Sequence, residues 1–424
     1  MTGDIAAAKQ ATTQVLRSRF LGDAERATAE LLLARVAAAE GSPEEETKRL
    51  ERALVLAERV DDPAQIAWIQ LRILSLTADR MGPSASHPLM GKVRHNVSCA
   101  GEPPLSIALH LFVADADGKH GLLGKSQRHV RLAQSLLEKY PNFWLSGWAE
   151  ITSLALALMK SDLPSALVHG HAALALGQQC GVAVVRRSSL GNMGRAKFME
   201  GNYDGALEVL NEALALCTPN SDSHAGIRDS IARVYMAIGR PEDSVPFLDH
   251  VMISDRDSIR SGGYVHRHSL LTKAEVLTRL GKFVEAQRHF EEAIALAARC
   301  GDEILEDNAG HLADESACLS LETSSYRNGP ISPARDETPD SSVFYERALT
   351  ARLAATGNHG AAWRHRTRAL RLCRAVSNVP GETEVHRSWI ELTQRYSVNS
   401  RSRFIDLRRF GSRHRLAPPP RRPP

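Results

Sequence analysis

Residues 190–216, LGNMGRAKFMEGNYDGALEVLNEALAL, read as two helices joined by a tight turn. The first helix carries Leu190, Met193, Gly194 and Lys197, and the second carries Tyr203, Ala206, Leu210, Ala213 and Leu214. Spacings of three and four put each set on one face of its helix. Gly201-Asn202 makes the turn, because glycine suits the left-handed backbone that ends a helix. Gly194 and Ala206 are small enough to let the two backbones approach, and a bulky residue there would force them apart.

Working outward, the end of this unit echoes along the chain. ALVLAERVDD from Ala53, ALALGQQCGV from Ala173, ALALCTPNSD from Ala213, AIALAARCGD from Ala293 and ALRLCRAVSN from Ala369 align on one alanine. The anchors lie 120, 40, 80 and 76 residues apart, so they sit on one grid of about forty residues. The skipped steps fall near Val93, Ala133, Val251 and Ile331, where the pattern is weaker. A fixed period of this size is the mark of a stacked repeat.

Further copies of the unit run through Leu270, Ala274, Leu277, Gly281, Phe283, Ala286, Phe290 and Ala293, and through Ile231, Ala232, Tyr235, Gly239, Ser244 and Leu248. A last one has Leu349, Leu353, Gly357, Ala362 and Ala369. Pro43, Pro63, Pro83 and Pro103 stand twenty residues apart, the half-repeat, where proline starts helices rather than interrupting them. Aromatics are only 5% of the chain, which disfavours a β-sandwich or barrel and agrees with packed helices.

The motif Leu190…Gly194…Gly201…Tyr203…Ala206…Ala213 resembles a tetratricopeptide repeat, and so does Ala274…Gly281…Phe283…Ala286…Phe290…Ala293. The period is nearer forty than the usual thirty-four, which is similar to the helical arms of bacterial LuxR-type and other STAND-class regulators. Lys197 at a usually aromatic site and Pro241 at the start of a second helix depart from the pattern. The resemblance implies an all-α, right-handed α-solenoid of antiparallel helix pairs whose stacked neighbours share one continuous core. The reading divides the chain into an N-terminal helix or lead-in (1–22), divergent repeats (23–145) and clear repeats (146–302). A partial repeat with a Pro/Ser-rich loop (303–342), a terminal repeat with a capping helix (343–398) and a disordered Arg/Pro-rich tail (399–424) complete it.

The net charge of +4 hides a split. Residues 401–424 hold eight arginines and one acid, leaving 45 basic against 48 acidic residues elsewhere. The basic balance therefore belongs to the tail, and nucleic acid is an unlikely partner except weakly through 401–424. The tail's abrupt Arg/Pro/Ser composition is also what out-of-frame translation of a GC-rich gene gives, so a truncated chain is part of the expectation. Six scattered cysteines, with no C-x-x-C pair, read as reduced thiols of a cytoplasmic protein. No apolar N-terminal stretch suggests a signal peptide, and no run approaches a membrane span.

Three segments invite a chemical reading. Gly118–Ser126, GKHGLLGKS, is a misspaced phosphate-loop pattern with Lys119 where glycine is required, and reads as an interhelical turn. His169/His171 and His266/His268 are two residues apart, which on a helix points them to nearly opposite sides and away from a shared metal. Trp144 and Trp148 share a helix face and read as a core stripe or as an aromatic patch lining a groove. No catalytic residue, cofactor or metal site is expected, and the chain is read as no enzyme.

In the resembled family the first helix of each pair lines a concave groove. Here that implies Trp148, Ile151, Arg195, Phe198, Asp229, Arg233, Glu275, Arg279 and Arg347 as groove residues. The implied partner is a protein or peptide, acidic if several arginines face it together. The residues of a C-terminal-carboxylate clamp do not align. The function implied is a protein–protein interaction scaffold, with the sensor or inhibitory arm of a bacterial transcriptional or signalling regulator as the alternative. Residues 382–397, ETEVHRSWIELTQRYS, form one amphipathic helix rather than a DNA-reading helix-turn-helix.

Overall fold

The computed structural model describes residues 5–219, 221–249, 263–320, 331, 333 and 338–396, and among them it is helical with no strand. The tail 399–424 and most of the Pro/Ser-rich segment lie outside the described residues. A short α1 (Ile5–Leu16) buries nothing and precedes seven stacked units. These are α2 (Asp23–Ala39) with α3 (Pro43–Val60), α4 (Pro63–Met81) with α5 (Pro83–Ala100), and α6 (Pro103–Lys119) with α7 (Leu123–Lys139). Next come α8 (Phe143–Met159) with α9 (Leu163–Gln179), and α10 (Ala183–Met199) with α11 (Tyr203–Ala215). The sixth unit pairs α12 (Asp222–Ala237) with a broken second helix, α13 (Pro241–Ser244) and a 3₁₀ turn, Val245–Leu248. The seventh pairs α14 (Tyr264–Arg279) with α15 (Phe283–Cys300). Beyond them lie α16 (Glu303–Ser320), α17 (Pro339–Ala355), α18 (His359–Ala375) and α19 (Val379–Arg395).

Local chemistry sets these boundaries. Proline opens α3, α4, α5 and α6, where its missing N–H costs no hydrogen bond. Asp162, Asn202, Asn358 and Asn378 each accept a backbone N–H from the first turn of α9, α11, α18 and α19. Gly201 has φ of +80°, and a Cβ there would meet Val379 of α19 at 2.8 Å, so both conformation and space demand glycine. The second helix of the sixth unit breaks because Pro246 lacks an N–H and cannot continue the α-helix. α17 begins at Pro339 with Asp340 in its first turn, so residues 339–342 are helix rather than the end of a loop.

One seam runs through the array. The five grid alanines, Ala53, Ala173, Ala213, Ala293 and Ala369, are completely buried, as are the skipped-step residues Val93 and Ala133. Seven residues earlier, Ala166, Ala206, Ala286 and Ala362 are equally buried against the first helix of the pair. At that second position Ser126 and Ser244 donate to the carbonyls of Ala114 and Ala232 at 2.7 and 2.8 Å. The close approach is measurable at Gly194, where a Cβ would lie 2.6 Å from Leu210. Larger side chains such as Leu210 and Ile231 fill the space between units, each worth about 1.5–3 kcal/mol over an exposed position.

α16 departs from the pairing pattern. Every residue from Ala309 to Leu319 is buried, because α15 and α17 cover opposite sides of it. The array also meets itself. The α4–α5 turn packs on the end of α15, where Cys300 reaches the Arg80 carbonyl at 3.7 Å. α19 lies against α10, α12 and α16, with Tyr396 donating to the Cys318 carbonyl at 2.6 Å.

Candidate protein-interaction site

The first helices form the inner wall, and they curve enough to touch across it. Arg35 of α2 lies over the Trp144 ring of α8, 5.8 Å from its centre and three units away. Lys119 of α6 lies 5.0 Å from the Tyr264 ring of α14, four units away. Trp68, Arg72, Ser75 and Asp79 repeat at three or four residues along α4, as do Phe112, Asp115 and Lys119 along α6, so each set shares one helix face.

Where α4, α6 and α14 converge they leave a shallow depression, edged by Ser75, Asp79, Phe112, Asp115, Tyr264 and Asp302, whose enclosed part holds little more than a water molecule. Lys119 bridges Asp79 at 3.0 Å and Asp115 at 2.8 Å. Burial works against its ammonium, yet Asp115 and Asp79 hold its pKa well above the ordinary lysine value. Arg267, almost fully buried, donates to Asp302 at 3.2 Å and to the Asp79 carbonyl at 3.4 Å. Burial raises the Tyr264 phenol, with Lys119 and Arg195 opposing. The site thus sets paired carboxylates and cations beside two aromatic rings, Phe112 and Tyr264.

Deeper along the wall, His268 packs at a tilt against Tyr264, their ring centres 4.3 Å apart. Burial, resisted by Asp302 and reinforced by Arg233 and Arg267, takes its pKa down to about 4. A second, smaller depression lies among Glu275, Arg279, Glu315 and Arg347.

The residues expected to line the groove fall into three sets. Arg195 is exposed on α10 and makes no ion pair among the described residues. Trp148 is half-buried in a row with Trp144, their ring centres 6.4 Å apart. Asp229 and Arg233 pair along α12 at 3.0 Å, and Glu275 is raised by burial against the pull of Arg233, Arg347 and Arg279. Arg279 pairs with Glu384 and, at 3.5 Å, with Glu391, both on α19. The third set does not face an open groove. Ile151 packs in the core with Ala173 and Val185, and Phe198 packs on Tyr203 at 6.1 Å between α10 and α11. Arg347 is buried and paired with Glu315 at 2.7 Å. The row of arginines is therefore mostly neutralised from within, which removes the argument for an acidic partner from Arg233, Arg279 and Arg347.

Sequence reading missed Lys119, Tyr264, Arg267 and Asp302 as wall residues. The available signal was the spacing of Phe112, Asp115 and Lys119, off the apolar face of α6. The glycine-lysine segment is the α6–α7 turn: Gly118 is packed beside Met159, and Ser126 is spent on the Ala114 carbonyl. His169 bonds Glu150 at 2.7 Å, and among the described residues no group of three or more His, Cys, Asp or Glu is placed to hold a metal. No disulfide joins the cysteines among the described residues, and burial pushes the Cys373 thiol up to about 12. No helix among the described residues is long and apolar enough to cross a membrane.

No family model matches the chain. Over 139 residues, 31% of its length, it is 28% identical to the DnaJ homolog subfamily C member 7 homolog of Schizosaccharomyces pombe, and the match spans 28% of that relative. The solved structure of Rap protein complexed with Competence and Sporulation Factor superposes with a TM-score of 0.59, covering 83% of this chain and 99% of that one at 10% identity. A STAND-class signal transduction ATPase with a tetratricopeptide-repeat sensor, from Pyrococcus horikoshii, gives a TM-score of 0.43 at 10% identity, over 89% of this chain and 54% of its own. The buried alanine grid, the paired helices and the Rap superposition agree on the architecture: this chain has the fold of the tetratricopeptide-repeat proteins, an α-solenoid of antiparallel helix pairs.

Proposed function

We propose that the chain is a non-enzymatic protein-interaction scaffold that takes a segment of a partner protein on its inner wall. The fold suggests protein interaction in general. The specific support is the depression between α4, α6 and α14, where Asp79, Asp115 and Lys119 stand beside Phe112 and Tyr264. Side chains of both charges with rings between them suit an extended segment, whose backbone needs donors and acceptors and whose apolar residues need cover.

A second reading is the sensor arm of a signalling or transcriptional regulator. The chain's self-contact favours it: α19 closes on α10, α12 and α16, and the α4–α5 turn closes on α15, so segments far apart in the chain meet one another. The Rap protein superposed on this chain was solved with a bound factor, and the proposal carries that arrangement across as an analogy of fold.

The test places a photoreactive phenylalanine at Ser75 or Phe112 in the depression, and at Val168 on the exposed outer face of α9. Cross-linking in cells should attach the same protein at both Ser75 and Phe112 and not at Val168. Adducts from Val168 alone would move the interaction to the outer face.

A further inference from the structure

We propose a second feature of the inner wall, resting on the reading above: the aromatic row of α4 and α8, with Arg35 and Arg72, is a subsite for an acidic side chain of the partner segment, flanked by apolar residues. The row is Trp68, Trp144 and Trp148, with neighbouring ring centres 6.4 Å apart in both steps. Arg35 lies over its middle member. All of these side chains are partly exposed, so the row is accessible.

The charges here are unbalanced in one direction. Arg35 is half-buried and makes neither an ion pair nor a hydrogen bond to any described residue. Its pKa is lowered by burial and then by the neighbouring Arg72, and no acidic group offsets either effect. Arg72 does have a carboxylate, Glu46, to which its Nε donates at 2.7 Å, but that carboxylate is shared with Arg80 at 3.6 Å. In the same row the Trp148 indole N–H is buried without an acceptor among the described residues. Two guanidiniums side by side and an unused donor ask for an acceptor. An incoming carboxylate would give Arg35 the acceptor it lacks.

The occupant follows from the complementarity. The rings cover apolar groups on either side of the anion, which a free ion lacks and a peptide supplies. With Glu46 already present, the local excess suits the single charge of Asp or Glu better than the double charge of a phosphate. The side chain rather than a chain terminus is assigned, because the row continues on both sides of Arg35.

The probes are acetylated and amidated nonapeptide pools centred on Leu-Glu-Leu, Leu-Gln-Leu or Leu-phosphoserine-Leu, with anisotropy read on the whole chain. The Glu pool should bind at least tenfold tighter than the Gln pool, and added salt should narrow the gap. Arg35→Gln should equalise the two pools with at most a small change in melting temperature, since Arg35 has no ion pair to lose and gives up only its place over the Trp144 ring. Equal binding of both pools to the wild type, tenfold preference for phosphoserine, or a melting temperature several degrees lower in Arg35→Gln would each overturn the assignment. Cross-links at Ser75 and Phe112 without Glu/Gln discrimination would remove this subsite and leave the scaffold reading. Discrimination without cross-links would do the reverse.

Discussion

At one position of the repeat, α11 carries Ala206 and α3 carries Glu46. Both lie seven residues before the grid alanine and both are buried, Ala206 completely and Glu46 to 2% exposure. Ala206 is there because two backbones meet, and nothing larger fits. Glu46 occupies the same place because α4 sends Arg72 and Arg80 to its carboxylate. The seam therefore tolerates a charge only where the neighbouring unit neutralises it. The helix that does so, α4, also carries Trp68, and the unmatched Arg35 stands on α2 of the unit before it.

The sharpest way to break this comparison is to overfill the seam. Ala206→Trp and Ala286→Trp should each cost about 3 kcal/mol or more, because the indole has no void to enter. Glu208→Trp, on the exposed side of α11, should cost less than about 0.5 kcal/mol. Denaturant melts showing equal losses at the two kinds of position would mean that the seam is not where the backbones meet.

Glu46→Ala is the next largest test, since it restores the alanine that Ala166, Ala206, Ala286 and Ala362 provide in four other units. A purely steric seam would be stabilised. We expect a loss of about 2 kcal/mol instead, because two guanidiniums lose their carboxylate, with the figure held down by the partial exposure of Arg72. Glu46→Ala combined with Arg72→Leu should recover most of it. A stabilised single variant would show that the ion pairs are incidental.

A smaller effect belongs to α19. Hydrogen bonds from His386 and Arg374, acting against burial, hold the Glu382 carboxyl at about 2. A depressed carboxyl contributes stability above its unfolded value of about 4.5, and that contribution fades as pH falls toward 2. Glu382→Gln should cost on the order of 1 kcal/mol at neutral pH and nothing near pH 2, since Arg374 is half exposed. Melting curves of the two proteins that stay parallel from pH 7 to 2 would remove the ion pair from the stability of this end.

The seam was legible in the sequence because it repeats. A close backbone approach at each unit needs a small residue each time, and that need writes Ala53, Ala173, Ala213, Ala293 and Ala369 onto one period. The inner wall has no such rule. Which side chains meet there depends on the curvature of the whole array, and the contacts join residues as distant as Lys119 and Tyr264 or Cys300 and Arg80. No local period encodes those separations. Ile151 and Phe198 went astray for the same reason: one helical step separates a wall residue from a core residue, and the divergent packing of each unit decides between them.

The smallest expected effect on stability is the one that says most about the wall. Arg195, Arg233 and Arg279 stand at comparable places on α10, α12 and α14, but only Arg195 lacks a carboxylate partner among the described residues. Reversing Arg279 would set a carboxylate against Glu384 and Glu391, so any loss of binding would be confounded by loss of α19. Arg195→Glu has no such neighbour and should change stability by less than about 0.5 kcal/mol. It would still alter the field at Tyr264, where Arg195 acts on the phenol from across the wall. If a partner segment lies along that wall, capture at the Phe112 cross-linking position should change while the melting temperature stays constant, and the change should shrink as salt rises. Unchanged capture at low salt would place the segment nearer α4 and α8, away from α10.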